Sequence, residues 1–259
     1  MQIHNLTNIK ALVLDMDGVL WRDNDPIGNL PAIFNRFDRA GLKVILATNN
    51  ATKTQEMYLE KLTGMGVHLQ KEQIITSAMG VTYLLKKQFP AGGPVYMVGE
   101  RGLLLALQEA GFYISETDPL AVVASMDRQI NYDKLKRATL FIRSGVPFYA
   151  TNPDRTFPTP QGFIPGAGAI LATLVAATDV EPIIAGKPSS TLYEFALEKL
   201  HSLPAETLAV GDRIETDIAG GQLAGLRTAL VLSGVSTHEE ALAWTPKIDL
   251  ILNELGGLV

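Results

Sequence analysis

The most informative stretch for the fold is Ala11-Leu-Val-Leu-Asp-Met-Asp-Gly18. Its apolar run, residues 11–14, predicts a strand that is buried on both faces, as in a parallel sheet. Asp15 and Asp17 follow this strand directly, so both carboxylates leave it at its carboxyl end, where open α/β sheets bind their ligands. Taken alone, the same residues also fit an acidic turn in which Gly18 relieves backbone strain. A ligand site and a simple turn are therefore both open at this point.

Strand and helix patterns alternate along the rest of the chain, which is typical of parallel α/β architecture. After the first strand, a helix is predicted over residues 31–40 and a strand over residues 43–47. A second helix is predicted to begin at Thr52, because Thr52-Lys-Thr-Gln55 has the pattern of a capping box. The chain thus opens with a strand, a helix, a strand and a helix.

Residues 79–181 carry strand and helix patterns of their own. A crossover between neighbouring parallel strands needs only about a dozen residues, so this stretch is too long for a connection. We therefore predict a first domain in two parts, residues 1–78 and 182–259, with an inserted α/β domain at residues 79–181. Ile183-Ile184 is predicted to be the strand at which the first domain resumes.

Composition excludes several classes of function. The formal net charge is −5 and no dense run of Lys or Arg occurs, so nucleic acid is not an expected partner. The absence of cysteine excludes disulfides, thiolate metal sites and cysteine nucleophiles. It also fits a reducing cytoplasm, the expected location, and no apolar stretch is long enough to predict a membrane partner.

Three further motifs follow predicted strands. Thr48-Asn49-Asn50 offers a hydroxyl and backbone N–H groups that suit phosphate oxygens, although alone it also fits a turn that caps the next helix. Gly186-Lys187-Pro188 alone fits a surface lysine before a helix. Gly211-Asp212-Arg-Ile-Glu-Thr-Asp217 alone fits acids at a helix N-terminus. The ordered set of acid pair, Thr, Lys and acid pair, each after a strand, favours one shared site.

In this order, Asp15-x-Asp17-Gly18-Val19, Thr48-Asn49-Asn50, Gly186-Lys187-Pro188 and Gly211-Asp212-x4-Asp217 resemble the motifs of the haloacid dehalogenase-like hydrolase superfamily. The insert carries Asp127, Ala150-Thr-Asn-Pro-Asp154 and Pro165-Gly-Ala-Gly168. It resembles that of subfamily IIA, the NagD-like group of nucleotide, nitrophenyl-phosphate and phosphoglycolate phosphatases. The resemblance implies an α/β fold with a Rossmann-like parallel-sheet core and an inserted α/β type-two cap domain.

The resemblance implies a phosphatase in which Asp15 is the nucleophile and Asp17 the general acid and base. Hard oxygen ligands without cysteine select Mg²⁺ over softer metals. The implied metal ligands are Asp15, the backbone carbonyl of Asp17, and Asp212. Asp217 is expected to orient the metal shell or Lys187 rather than to bind the metal.

The implied phosphate-binding residues are Thr48, Asn49 and Lys187, and the substrate is a small phosphorylated metabolite. Nucleotide monophosphates, phosphoglycolate, sugar phosphates and nitrophenyl phosphate all fit the motifs. The insert is expected to close over the pocket and to determine specificity, and a homodimer formed through it is left open. The residues predicted to contribute to specificity, each of which alone also fits an ordinary loop residue, are Asn50, Asp127, Asn152, Asp154 and Arg155.

Two alternative functions use similar residues. A phosphomutase would share Asp15, Asp17, Lys187 and Asp212, and free phosphate release without a bisphosphate activator separates it from a phosphatase. A phospho-receiver module also uses a phosphorylated Asp, a Thr and a Lys. It is disfavoured, because the nucleophile here lies on the first strand and the insert is too long for so small a module.

Overall fold

The computed structural model describes residues 8–159 and 161–258, with the backbone alone for Pro158. Two compact units make up the chain. The first consists of the described residues of Met1–Thr48, Gln55–Ile75 and Lys187–Val259. The second consists of Asn49–Thr54 and Thr76–Gly186. The α/β class predicted for the chain is confirmed in both units.

A six-stranded sheet forms the centre of the first unit, in the order β15-β14-β13-β1-β4-β5. β1 pairs in parallel with β13 on one side and with β4 on the other, and all four of its residues are buried. The residues that follow β1, β4 and β13 therefore leave the sheet at the same edge. The strands are β1 (Ala11–Leu14), β4 (Lys43–Thr48), β5 (Ile74–Thr76), β13 (Thr207–Gly211), β14 (Arg227–Val231) and β15 (Leu250–Leu252).

Helices and one small hairpin complete the first unit. In α1 (Leu30–Arg39), Asn29 accepts a hydrogen bond from the N–H of Ala32, and Leu30, Ile33 and Phe37 form the buried face. A π-helical turn, Ile214–Ile218, precedes α8. The other strands and α-helices are β2 (Trp21–Arg22), β3 (Asp25–Pro26), α2 (Gln55–Gly64), α7 (Thr191–Leu200), α8 (Ala219–Leu223) and α9 (His238–Ala243).

The second unit has its own parallel five-stranded sheet in the order β12-β9-β8-β6-β7, with an antiparallel hairpin of β10 and β11. Its strands are β6 (Gly93–Val98), β7 (Phe112–Ile114), β8 (Val122–Ala124), β9 (Phe148–Ala150), β10 (Thr156–Thr159), β11 (Gly162–Pro165) and β12 (Ile183–Ile184). Its helices are α3 (Ser77–Gln88), α4 (Arg101–Glu109), α5 (Tyr132–Arg143) and α6 (Ala167–Thr178). Within the described residues, no helix has the length and apolar character needed to cross a bilayer.

Two local predictions differ from the structure. α2 begins at Gln55, so the capping box predicted at Thr52 is wrong. The side chain of Asn50 accepts hydrogen bonds from the N–H of Thr52 at 2.9 Å and from its hydroxyl at 2.7 Å, which holds this stretch in a turn. Ile183-Ile184 was expected to resume the first domain, but as β12 it pairs with β9 in the second unit. The bounds predicted for the insert, residues 79 and 181, lie inside those of the second unit.

Candidate active site

Three charged side chains meet at the edge of the first unit's sheet where β1 and β13 end. The N–H of Asp15 donates to the carbonyl of Val210 at 2.8 Å, so the residue extends β1 and its carboxylate lies at the sheet edge. The ammonium of Lys187 lies 2.5 Å from Oδ1 of Asp15 and 2.5 Å from Oδ1 of Asp217. It also donates to the carbonyl of Ala47 at 3.1 Å, at the end of β4. Groups near the ends of strands that are distant in sequence therefore contact the same ammonium, that of Lys187.

Carboxylate groups are concentrated at this edge. Asp15, Asp212 and Asp217 each offer an oxygen, and these oxygens lie within 4.8 Å of one another. Burial raises the pKa of Asp15 well above its ordinary value; Lys187 opposes this shift, and Asp217 and Asp212 add to it. Burial, followed by the charge of Asp217, raises the pKa of Asp212 to about 6. The cluster thus holds more negative charge than Lys187 can balance.

Asp212 is held by a loop that approaches it very closely. Its Oδ2 accepts a hydrogen bond from the N–H of Val235 at 2.9 Å, and its carbonyl accepts one from Ser236 at 3.0 Å. A Cβ at Gly234 would lie 1.9 Å from Oδ2 of Asp212, and one at Gly18 would lie 2.4 Å from it. Gly18 also has φ of +82°, which disfavours other residues. Both glycines are therefore required to place this carboxylate.

Both carboxylate oxygens of Asp217 accept hydrogen bonds from neighbouring protein groups. Its Oδ1 accepts from Lys187, and its Oδ2 accepts from the N–H of Arg213 at 3.1 Å. Its carbonyl accepts from the hydroxyl of Tyr193, a buried residue of α7 that the motifs do not include, at 2.9 Å. Burial lowers the pKa of Lys187, but the charges of Asp15 and Asp217 outweigh burial and raise it well above its ordinary value. The lysine is therefore an ammonium.

Thr48 and Asp17 lie near the same buried tyrosine. Thr48 ends β4, and the buried Tyr58 on α2 lies close enough for Thr48 to oppose the rise in its pKa. Burial raises the pKa of Tyr58, and the charge of Asp17 raises it further. Asp17 is exposed, and its Oδ1 accepts a hydrogen bond from the indole N–H of Trp21 at 2.7 Å. The motifs predict Thr48 and Asp17, but neither Tyr58 nor Trp21.

Asn49 belongs to the second unit, together with two of the predicted specificity residues. Its carbonyl accepts from Nδ2 of Asn152 at 2.7 Å, and its own Nδ2 donates to Asp154 at 3.3 Å. Oδ1 of Asn152 accepts from the N–H of Asp154 at 3.1 Å. These polar groups therefore bind one another, and a role in phosphate or substrate binding stays a prediction for all three.

The other predicted specificity residues of the second unit have different surroundings. Asp127 is buried and forms an ion pair with Lys134 at 2.7 Å, while its Oδ1 accepts from the N–H of Gln129 at 2.9 Å. Both of its oxygens thus stabilise the loop after β8. Asn50 holds the turn before α2, and Arg155 is exposed. A role in specificity stays a prediction for each.

The carboxylate cluster fits a hard divalent cation. Mg²⁺ takes six oxygen ligands at about 2.1 Å, so ligand oxygens around it lie roughly 3.0 to 4.2 Å apart. The ligand oxygens of Asp15 and Asp212 lie within 4.8 Å of one another, so both can approach one such ion. Burial, and after it the charge of neighbouring carboxylates, raises the pKa of Asp15 and of Asp212, and a dication would stabilise the ionised form of both groups. The donor chemistry and the charge both favour a hard divalent cation.

We predict that the metal-free protein loses stability relative to its Asp212→Asn variant as pH rises from about 4 to above 6. The folded pKa of Asp212, about 6, exceeds its ordinary value of 3.8, so the folded state binds the extra proton over this range. Folding then becomes less favourable as the proton is lost, by about 3 kcal/mol. Denaturant unfolding in EDTA across this range measures the difference, and a constant difference between the two proteins would contradict the prediction.

Comparisons with known proteins identify the family. Residues 12–113 match the family model of haloacid dehalogenase-like hydrolase, and residues 184–258 match one described as HAD-hydrolase-like. The acid sugar phosphatase of Staphylococcus aureus is 38% identical over 232 residues, which are 89% of each chain. NagD from Escherichia coli matches with a TM-score of 0.91 and 33% identity over 96% of this chain and 98% of NagD.

A third relative was solved with a metal. The glycerol phosphate phosphatase of Mycobacterium tuberculosis, in complex with magnesium, matches with a TM-score of 0.90 and 30% identity over 98% of this chain and 77% of that one. Both family models, the extent of the identities and the shared fold agree with the motifs at the ends of β1, β4 and β13. The chain therefore belongs to the haloacid dehalogenase-like hydrolases and is a phosphatase of their NagD-like group.

Proposed function

We propose that the chain is a magnesium-dependent phosphomonoesterase that hydrolyses a small phosphorylated metabolite through an aspartyl-phosphate on Asp15. One observation carries this proposal: the ammonium of Lys187 lies 2.5 Å from the carboxylate of Asp15, within a group of carboxylates whose oxygens are at most 4.8 Å apart. Side chains suited to act as a nucleophile, as a cation for phosphoryl oxygens and as metal ligands thus lie close together. Phosphoryl transfer needs little more than such positioning and charge stabilisation.

The residues proposed to hold Mg²⁺ are Asp15, Asp212 and the backbone carbonyl of Asp17. When bound, the ion offsets the charges of the carboxylates and of the phosphoryl group. We leave Asp217 out of this set, because both of its oxygens accept hydrogen bonds from the protein, one from Lys187 and one from the N–H of Arg213. Asp217 instead holds Lys187 in place.

In the first half of the proposed reaction, a carboxylate oxygen of Asp15 attacks phosphorus in line with the leaving group. The bond between Asp15 and phosphorus forms while the bond from phosphorus to the ester oxygen breaks. Asp17 gives its proton to the departing oxygen, which leaves as an alcohol. Lys187 and the hydroxyl of Thr48 bind the transferring phosphoryl oxygens, and the backbone N–H of Asn49 is proposed to assist them.

In the second half, water releases the phosphate. Asp17, now a carboxylate, takes a proton from water as the water oxygen attacks phosphorus. The bond between phosphorus and Asp15 breaks, so inorganic phosphate leaves and the Asp15 carboxylate is restored. Asp17 is exposed and therefore accessible to this water.

A sugar phosphate is the substrate class that we propose first. The support is the 38% identity to a protein named acid sugar phosphatase over 89% of each chain. The specificity residues predicted in the second unit stay a proposal. Nucleotide monophosphates, phosphoglycolate and nitrophenyl phosphate remain the comparison substrates.

A substrate panel tests the proposal. The purified chain with Mg²⁺ is expected to release free phosphate from phosphomonoesters, without a bisphosphate activator, and with the highest kcat/KM on a sugar phosphate. Phosphate release is measured for each compound under the same conditions. Phosphate transfer that requires a bisphosphate would indicate a phosphomutase, and the absence of any phosphate release would refute the proposal.

A further inference from the structure

We propose that Trp21 is a positioning residue for Asp17, and that its indole N–H holds the carboxylate in the orientation that transfers a proton to the leaving group. The inference rests on the proposed function, which assigns Asp17 as general acid and base. Trp21 itself touches no reacting atom in this scheme. It acts through the hydrogen bond from Nε1 to Oδ1 of Asp17, which is 2.7 Å long.

The two partners of this hydrogen bond differ in burial. The side chain of Trp21 is fully buried, whereas Asp17 is exposed. An exposed carboxylate ordinarily samples several rotamers, so it needs an anchor if a proton is to move along one direction. A buried indole N–H in turn needs an acceptor. The bond therefore fixes Asp17 through a ring that packing already holds still.

The backbone around this pair is tightly tied. The N–H of Gly18 donates to the carbonyl of Trp21 at 2.8 Å, and the N–H of Leu20 donates to the carbonyl of Met16 at 2.8 Å. The ammonium of Lys61 lies 4.1 Å from the centroid of the Trp21 ring, over its face. The loop and the cation leave the ring little freedom to turn, so the direction of its N–H is set.

The two oxygens of the Asp17 carboxylate have different roles in this geometry. Oδ1 is occupied by the indole N–H, so we assign proton transfer to Oδ2. Loss of the N–H would release both oxygens to rotate. The predicted consequence is a smaller fraction of Asp17 in the reactive orientation, with Asp15 and Lys187 undisturbed, because neither contacts Trp21 through this bond.

The Trp21→Phe variant tests the proposal, since phenylalanine keeps an aromatic ring and removes the donor. A sugar phosphate leaves as a basic alkoxide that needs a proton, whereas nitrophenyl phosphate leaves as a weakly basic phenoxide. We expect kcat/KM to fall roughly 10- to 100-fold for the sugar phosphate and less than about 3-fold for nitrophenyl phosphate. In an Asp17→Asn background, Trp21→Phe is expected to have no further effect on either substrate.

The chain offers a matched control, because it has two tryptophans. The indole N–H of Trp244 donates to Gln222 at 2.9 Å, in a separate apolar cluster of the first unit. Trp244→Phe therefore removes the same kind of bond, and it is expected to leave the ratio of the two kcat/KM values unchanged. Thermal unfolding of both variants shows whether each is folded.

Two results would overturn the inference: an equal loss for both substrates in Trp21→Phe, or losses that add to those of Asp17→Asn. If Trp21→Phe does not fold, site-specific β-(3-benzothienyl)alanine at position 21, in which sulfur replaces the N–H, provides the same comparison. A separate measurement tests the proposed function: the unchanged chain should release phosphate, and the Asp15→Asn variant should not. An unchanged ratio of kcat/KM values in an active Trp21 variant thus refutes only the positioning role.

Discussion

Asp15→Asn is expected to lower kcat by at least about 10⁴-fold on every phosphomonoester, because an amide oxygen is a poor nucleophile and cannot form the aspartyl-phosphate. The variant should remain folded. Burial raises the pKa of Asp15, so an uncharged side chain of the same shape lowers the cost of burying this group, while Lys187 keeps its ion pair with Asp217. Phosphate release measures the loss of activity, and thermal unfolding measures the stability.

Labelling of the protein with substrate phosphate, followed by an acid quench, tests directly whether Asp15 is the nucleophile. With a substrate carrying labelled phosphate, the wild-type chain should retain acid-stable label on the protein after quenching, whereas Asp15→Asn should retain none. Asp38→Asn, an exposed acid on α1, is the control for an acid-to-amide change away from the site. Hydrolysis at the native rate by Asp15→Asn would exclude the proposed mechanism.

Removal of Mg²⁺ is expected to abolish turnover, with a loss of at least about 10³-fold that Mg²⁺ reverses. The physical reason is the charge at the sheet edge. The carboxylates of Asp15, Asp212 and Asp217 share a single ammonium in Lys187, and the phosphate group of a substrate adds further negative charge. Without a dication, this negative charge disfavours both substrate binding and nucleophilic attack.

The measurement is phosphate release by EDTA-treated protein during titration with Mg²⁺ and, separately, with Ca²⁺. Ca²⁺ is larger and takes less regular geometry, so it is expected to restore much less activity. Asp212→Asn should raise the Mg²⁺ concentration needed for half-maximal activity by roughly 10- to 100-fold. Glu254→Gln, an exposed acid of the first unit, is the control. Full activity in excess EDTA would contradict the prediction.

Two predictions made from short sequence patterns were wrong, because a short pattern does not show which of two possible partners it will bind. Thr52-Lys-Thr-Gln55 has the residues of a capping box, but the side chain of Asn50 binds the N–H of Thr52 first, and α2 starts at Gln55. Ile183-Ile184 has the apolar character of a strand in either sheet. These two residues pair with β9 in the folded protein. A run of two apolar residues does not indicate which strand it will pair with.

The α/β class, the family and the site motifs could all be predicted from the order of the residues. Apolar runs predict the strands, and the carboxyl ends of parallel strands must meet at one sheet edge, whatever the details of packing. Asp15 after β1, Thr48 at the end of β4 and Asp212 after β13 therefore had to lie near one another once the strands were placed in one sheet. Motif order then separated this family from other proteins with similar residues.

The other side chains that support the site could be identified only from the folded arrangement. Tyr193 binds the carbonyl of Asp217, and Val235 binds the carboxylate of Asp212, across 24 and 23 residues. Trp21 reads in sequence as an ordinary core residue. Whether a buried indole merely fills space or also holds a catalytic carboxylate depends on where its N–H points, and that direction is set by packing of the surrounding loop and helix rather than by residue type.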